Sequence, residues 1–373
     1  MKRPKQMILT AGPSISSREV RYVTNAVRNG WNFHYRDYID RFEKAFTKYI
    51  GVTYALAVSS GTAALHLAML GCDIGEGDEV IVPEITFVAS ANVVRYVGAN
   101  PIFVDVEPDT WCIDPVSVER AITKKTKAIM PVHIYGHPAN MTAINAIARK
   151  YKLKIIEDAC PSIGAQVRGK KTGNLSDVGA FSFQGAKTLA TGEGGMLVTN
   201  SKKIFEKVCY LGNHARDPRR TFWHSDVGYM TRMSNLQAAL GLAQLERVGE
   251  FIAKKRKIFS WYKERLKNVP GIQLNTEAPW AKNIYWMSSV VLEPGSRISR
   301  DKCMSELRKR MIDTRPFFYP ISMFPMYKKK YYAKKNPVAY WVGTHGINLP
   351  SGVMLTKSTV DYVASCLIDI LKG

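Results

Sequence analysis

Across the first two-thirds of the chain, short apolar runs rich in β-branched residues alternate with longer stretches whose apolar residues recur at helical spacing. The short runs predict strands at residues 55–59, 79–83, 101–105, 127–132, 153–157, 179–183 and 196–199. The longer stretches predict helices at 63–71, 88–97, 115–122, 141–151 and 202–211. Strand–helix alternation of this kind builds βαβ units and a mostly parallel sheet. The strands are almost continuously apolar, as in a sheet covered on both faces. The expected class is therefore α/β.

A long helical pattern follows at residues 234–267, with Leu236, Leu240, Leu245 and Val248 in phase and a break near Gly249. Beyond Pro270 the pattern changes. A strand at 285–292, a helix at 301–311, a loop rich in Pro and Tyr, and a helix at 357–371 predict a smaller α+β unit. The expected division is a large domain over residues 1–250, with an N-terminal segment, and a small C-terminal domain over 251–373.

Composition narrows the class without naming a chemistry. The 373 residues suffice for two domains with substantial cores. Hydrophobic residues at 46% and charged residues at 23% are ordinary for a soluble globular protein. No apolar run approaches the roughly eighteen residues that a membrane helix needs. The basic start, Met1-Lys2-Arg3-Pro4-Lys5, is not followed by the apolar stretch of a secretory signal. The six cysteines, Cys72, Cys112, Cys160, Cys209, Cys303 and Cys366, form no CxxC pair and have no His at ligand spacing. Reduced thiols, no metal site and a cytoplasmic location are the expectation. The net charge of +22 is large, but its lysines and arginines are dispersed, with short runs such as Lys254-Lys255-Arg256-Lys257 and Lys328-Lys329-Lys330. That pattern reads as a solvated surface and predicts neither a nucleic-acid nor a membrane partner.

The chemistry lies in two segments. Glu157-Asp158-Ala159 ends an apolar strand, and Phe181-Ser182-Phe183-Gln184-Gly185-Ala186-Lys187 follows some thirty residues later, ahead of Thr191-Gly192-Glu193-Gly194-Gly195. A lone lysine in so basic a chain carries no signal. A lysine in a small-residue loop, downstream of a strand-end carboxylate, matches what pyridoxal phosphate (PLP) requires. One carboxylate keeps the pyridine nitrogen protonated, and one lysine forms the Schiff base. Ser59-Ser60-Gly61-Thr62 closes a strand and opens a helix, where free N–H groups and the helix dipole attract an anion. Phe87, after the strand at 79–83, is placed to stack on a cofactor ring, and Ser182 to bind its phosphate. All these residues end or follow strands of one sheet, at the edge where ligands of open α/β sheets bind.

These residues resemble the DegT/DnrJ/StrS-type sugar aminotransferases, a branch of the fold-type-I PLP enzymes. The resemblance runs from Arg41-Phe42-Glu43-Lys44-Ala45-Phe46 through Ser60-Gly61-Thr62-Ala63-Ala64-Leu65-His66 to Arg315-Pro316-Phe317-Phe318 and Ile347-Asn348-Leu349-Pro350. It implies a homodimeric enzyme of amino-sugar and polysaccharide biosynthesis. The reaction implied is transfer of an amino group from glutamate to a 4-keto-6-deoxy sugar nucleotide. The other reading is a PLP aminotransferase acting on a different keto acceptor, a keto-inositol or a small phosphorylated ketone.

Residue by residue, the resemblance implies Lys187 as the Schiff-base lysine and Asp158 as the ring-nitrogen partner. It implies Ser182 as a phosphate ligand, Ser60, Gly61 and Thr62 as the phosphate-binding turn, and Phe87 as the aromatic over the ring. His133 and Tyr135 match a family run without an assigned role. Three departures stand out. Met230 occupies a place where many members carry an Asn that reaches a cofactor phosphate across the dimer; Arg232 or Asn235 is the candidate replacement. Pro161 stands where Gln, Glu or His is usual. The segment Trp31-Asn32-Phe33-His34-Tyr35-Arg36 departs from the family pattern in a region that usually approaches substrate. Arg219, Arg220 and Arg315 are candidates for a diphosphate.

Overall fold

The computed structural model describes residues 4–329 and 332–373; residues 1–3 of the basic N-terminus and Lys330 of the Lys328-Lys329-Lys330 run lie outside the described residues. Two helices, α1 (Ser17–Asn29) and α2 (Asp37–Ile50), precede the first strand. Both are absent from the elements predicted above, although α2 buries Tyr38, Ile39, Phe42, Phe46 and Ile50 at helical spacing. There follow β1 (Tyr54–Val58), β2 (Glu79–Pro83), β3 (Asn100–Val104), β4 (Thr126–Ile129) and β5 (Lys154–Asp158). The short hairpin β6 (Gln166–Val167) and β7 (Lys170–Lys171) leads to β8 (Val178–Ser182) and β9 (Gly195–Thr199). Helices α3 (Gly61–Gly71), α4 (Ala89–Tyr96), α5 (Pro115–Ala121), α6 (Met141–Tyr151) and α7 (Lys202–Leu211) fall between or after these strands. Every predicted strand and helix of this region is present within a few residues.

The main sheet has the order β1-β9-β8-β5-β4-β2-β3. Its pairs from β8 to β3 are parallel, while β9 runs antiparallel to both β1 and β8. The reversal has a local cause. β8 and β9 are joined by a loop with no crossover helix, and a connection without a crossover can only return antiparallel. Both faces are covered. Ile81 of β2 packs into one hydrophobic cluster, and its neighbours Val80 and Val82 into another on the opposite side. Each such buried aliphatic side chain contributes about 1.5–3 kcal/mol.

The long helical pattern is two helices, α8 (Asn235–Leu245) and α9 (Val248–Leu266). The break falls at Glu246 and Arg247, two residues before Gly249, which lies in the first turn of α9. Arg247 sits at the break because its guanidinium is tied to Glu19 and to Ser14 on the N-terminal segment. The C-terminal region contributes β10 (Ile272–Leu274), β11 (Ala281–Lys282), β12 (Ser288–Leu292), α10 (Arg300–Lys309) and β13 (Arg315–Pro316). It ends with α11 (Tyr332–Lys335), α12 (Pro337–His345), β14 (Gly346–Leu349) and α13 (Lys357–Lys372). The antiparallel sheet β10-β12-β14-β13 packs with α9, α10 and α13 around Ile258, Tyr262, Leu307, Ile347 and Val363. Ile8 joins the same cluster, so the N-terminal segment rests on this unit. Among the described residues no helix is long and apolar enough to cross a membrane.

Candidate active site

The carboxyl edge of the main sheet opens into a cavity of about 450 Å³. Its walls come from the start of α3 (Ser60, Gly61, Thr62), from Thr86 and Phe87 after β2, and from Asp158, Cys160 and Pro161 at the end of β5. The loop after β8 supplies Ser182, Gln184, Ala186, Lys187 and Glu193; the C-terminal region adds Trp286, Arg315 and Phe318. A larger groove of about 650 Å³, lined by Arg149, Arg168 and Asp177 among others, contains none of the predicted site residues.

Asp158 is the last residue of β5 and is 4% exposed. Its Oδ1 accepts the Cys160 N–H at 3.1 Å, and its Oδ2 accepts the Ser90 hydroxyl at 2.7 Å. Successive strand residues face opposite sides of a sheet, so Glu157 belongs to the other side. There it accepts from His133 Nε2, from the Gly173 and Leu175 N–H groups and from the Ser176 hydroxyl. His133 Nδ1 accepts the Ala139 N–H, which puts the ring proton on Nε2, toward Glu157. Strand alternation thus divides the acidic pair: Asp158 lines the cavity and Glu157 braces the fold behind it.

Lys187 lies in the loop that reverses the chain between β8 and β9, closed by the Gly185 N–H to Gly192 carbonyl bond. Its half-buried amine sits 4.0 Å from the centroid of the Trp286 ring. Among the described residues it has no hydrogen bond or ion pair. Burial lowers its pKa from the ordinary lysine value, and the nearby Cys160 and Asp158 only partly oppose that. Cys160 is shifted the other way. Burial, and then the Asp158 charge, raise its thiol well above the usual range, so it stands as a protonated wall residue.

Ser60 caps α3, its hydroxyl accepting the Ala63 N–H at 3.0 Å. The first N–H groups of a helix have no intrahelical acceptor, so the turn offers donors to an anion. Gly61 is required by space: a Cβ there would meet Ser182 Cβ at 2.7 Å and Cys160 Sγ at 2.9 Å. That close approach brings the ends of β1, β5 and β8 around one point. An anion-binding turn, a buried carboxylate and an amine of lowered pKa fit the phosphate, ring nitrogen and aldehyde of PLP.

Ser60, Gly61, Thr62, Phe87, Asp158, Ser182, Lys187 and Arg315 are therefore brought together. Phe87 is 57% exposed at the cavity mouth, 5.8 Å from the Phe318 ring. Asn235 is not brought to the cavity. It is 7% exposed, its Oδ1 accepts the Tyr38 N–H at 2.9 Å, and its amide donates to the carbonyls of Gly30 and His34. Within this chain Asn235 holds the turn between α1 and α2; the contact expected of it is with a second copy. Arg219 pairs with Asp217, and Arg220 lies over Trp223, both outside the cavity. Sequence reasoning missed Ser90, Trp286 and Phe318. Phe318 lies inside the quoted Arg315-Pro316-Phe317-Phe318 run, and Trp286 stands at the head of a predicted strand. Nothing in Thr86-Phe87-Val88-Ala89-Ser90 marks Ser90 as a partner of Asp158.

Known proteins resemble the chain over nearly its whole length. A family model for the DegT/DnrJ/EryC1/StrS aminotransferase family matches residues 13–368. The chain is 41% identical over 355 residues to GDP-perosamine synthase of Escherichia coli O157:H7, covering 95% of this chain and 96% of that protein. It is 41% identical over 366 residues to GDP-perosamine synthase of Caulobacter vibrioides, covering 98% of each. Among solved structures, Spr1654 of Streptococcus pneumoniae in its PLP form superposes with a TM-score of 0.92 at 25% identity. That match covers 98% of this chain and 99% of the other.

Proposed function

The chain belongs to the DegT/DnrJ/EryC1/StrS aminotransferase family, and from that premise we propose that it moves an amino group from glutamate to the C4 keto group of a 6-deoxy sugar nucleotide. The observation that carries this reading is the meeting of the Lys187 amine, the Asp158 carboxylate and the Ser60-Gly61-Thr62 turn on one cavity. The names of the GDP-perosamine synthases support the nucleotide-linked 4-keto acceptor.

PLP, when bound, supplies an electron sink that stabilises negative charge at the amino-bearing carbon. The chain's own residues do the rest. Asp158 holds a proton on the ring nitrogen, and its bonds from Ser90 and the Cys160 N–H orient the carboxylate. Ser60, Gly61, Thr62 and Ser182 take the phosphate. Phe87 covers the ring. Lys187 is the covalent anchor; once released, its amine removes the α-proton of glutamate and, in the second half-reaction, returns a proton to the sugar C4. Its lowered pKa supports a neutral amine for that task. Arg315 on the cavity wall offers a cation to the diphosphate.

A homodimer is part of the proposal. Phe33 at 98% and Phe222 at 85% exposed are large apolar rings without cover in a single copy, which supports a second copy against them.

The test is a single-turnover visible spectrum. Protein loaded with pyridoxamine phosphate is mixed with a GDP- or UDP-linked 4-keto-6-deoxyhexose. Return of the yellow aldehyde form with one of them is the expected outcome and identifies the nucleotide. No return with either, in protein that still bleaches with glutamate, would sink the acceptor assignment and favour a different keto compound.

A further inference from the structure

We propose that Trp286 is a positioning residue for Lys187, gripping its backbone through the indole N–H and parking its released amine on the indole face. The proposal rests on the assignment of Lys187 given above. Trp286 lies between β11 and β12, far from Lys187 in sequence, and is 5% exposed. Its Nε1–H donates to the Ala186 carbonyl at 2.9 Å, the peptide group directly joined to Lys187. The same ring receives the Lys187 Nζ at 4.0 Å from its centroid. One side chain therefore holds both ends of the lysine.

The loop needs such a hold. Gly185 has no side chain and Ala186 only a methyl group, and the tie to the loop from α8, Gln237 Nε2 to the Glu193 carbonyl at 2.8 Å, lies six residues beyond Lys187. The indole, by contrast, is fixed from several sides. The Trp286 backbone carbonyl accepts the buried Lys255 amine at 2.9 Å, and that amine also donates to the Ser351 carbonyl at 3.0 Å. The ring stacks on Tyr135, with centroids 6.1 Å apart and planes 21° from parallel. Tyr135 itself has φ of 49°, a strained value for a residue with a side chain. Gly136 follows at φ of 103°, and a Cβ there would meet the Trp286 backbone nitrogen at 2.7 Å. The strained Tyr135 and the missing Cβ of Gly136 together make the space in which Trp286 sits.

The ring face favours the ammonium form of Lys187, because a cation is attracted to the indole quadrupole. The other charged or titratable groups on the cavity wall are Asp158, Cys160, Glu193 and Arg315. Asp158 also favours the ammonium, whereas burial opposes it. Trp286 thus gives the free amine a resting place between its covalent and its proton-transfer roles.

The test uses cofactor-free full-length protein. Labelling of Lys187 by acetic anhydride is followed against pH by peptide mass spectrometry in wild type and in Trp286→Leu. The labelling midpoint of the variant is expected to fall by about one pH unit. An unchanged midpoint in folded Trp286→Leu would overturn the resting-place role. Trp286→Phe keeps an aromatic face but loses the N–H together with the pyrrole part of the indole, and it covers the case in which the leucine variant does not fold. In Trp286→Phe, amide exchange across residues 184–188 is expected to rise about tenfold; unchanged exchange would overturn the grip. Lys187→Ala is assayed in parallel. Transamination retained by that variant means that the lysine assignment has failed; its loss, with unmoved labelling and exchange, means that only the role of Trp286 has.

Discussion

Ser90 Oγ donates to Asp158 Oδ2 at 2.7 Å, in a position wholly closed to solvent. Ser90 has one proton to give and the carboxylate takes it. The Thr86 hydroxyl, 2.9 Å away, must then donate to Ser90. This two-hydroxyl relay orients the carboxylate proposed to meet the cofactor nitrogen. Ser90→Ala should raise the PLP dissociation constant about tenfold, since outer partners of a binding group carry effects of that order. Titration of PLP into the cofactor-free protein, followed by absorbance, is the check. An unchanged constant in the folded variant would remove Ser90 from the site.

Lys187→Ala should abolish turnover, because among the described residues no other amine lines the cavity. The measurement is bleaching of the visible absorbance by glutamate in reconstituted protein. Near-normal transamination by this variant would refute the assignment of Lys187.

Lys255 is buried without a counter-charge, and desolvation lowers its pKa from 10.5 to about 7. The unfolded chain therefore binds one more proton than the folded chain between those values. Stability from this group rises with pH across that window and is flat below it. The slope is at most about 1.4 kcal/mol per pH unit. Lys255→Met should flatten the rise. Urea midpoints at pH 7, 8 and 9 for both proteins decide it; parallel profiles would mean that the folded amine stays charged throughout.

Glu19 behaves in the opposite sense. Burial alone would raise its pKa, but bonds from Ser16 and Arg247 outweigh that and hold it at about 2, against 4.5 ordinarily. Its contribution is complete above pH 4.5 and is lost as pH falls toward 2. Glu19→Gln should cost on the order of 2 kcal/mol at pH 7 and less in acid. Chemical unfolding at pH 7 and pH 3 compares the two proteins, and an equal difference at both would exclude a titrating Glu19.

Much of this protein can be read along the chain. The parallel strands of the main sheet are mostly apolar runs, and the helices between them keep their period, because local patterning reports which faces are buried. Lys187, Asp158 and the Ser60-Gly61-Thr62 turn, which meet on one cavity, stood out because each ends or follows a strand in a short, distinctive context. The reversed direction of β9 was not legible, since a run of apolar residues carries no sign of its orientation. The two helices before β1 escaped the pattern, whereas the break in the long helix was read to within about two residues. Alternation sends Asp158 and Glu157 to opposite faces, but only the folded sheet decides which face holds the cavity. Ser90 and Trp286 meet Asp158 and Lys187 from 68 and about 100 residues away. Spacing along a chain encodes neighbours within an element; which distant elements share an edge is decided by how their buried faces pack.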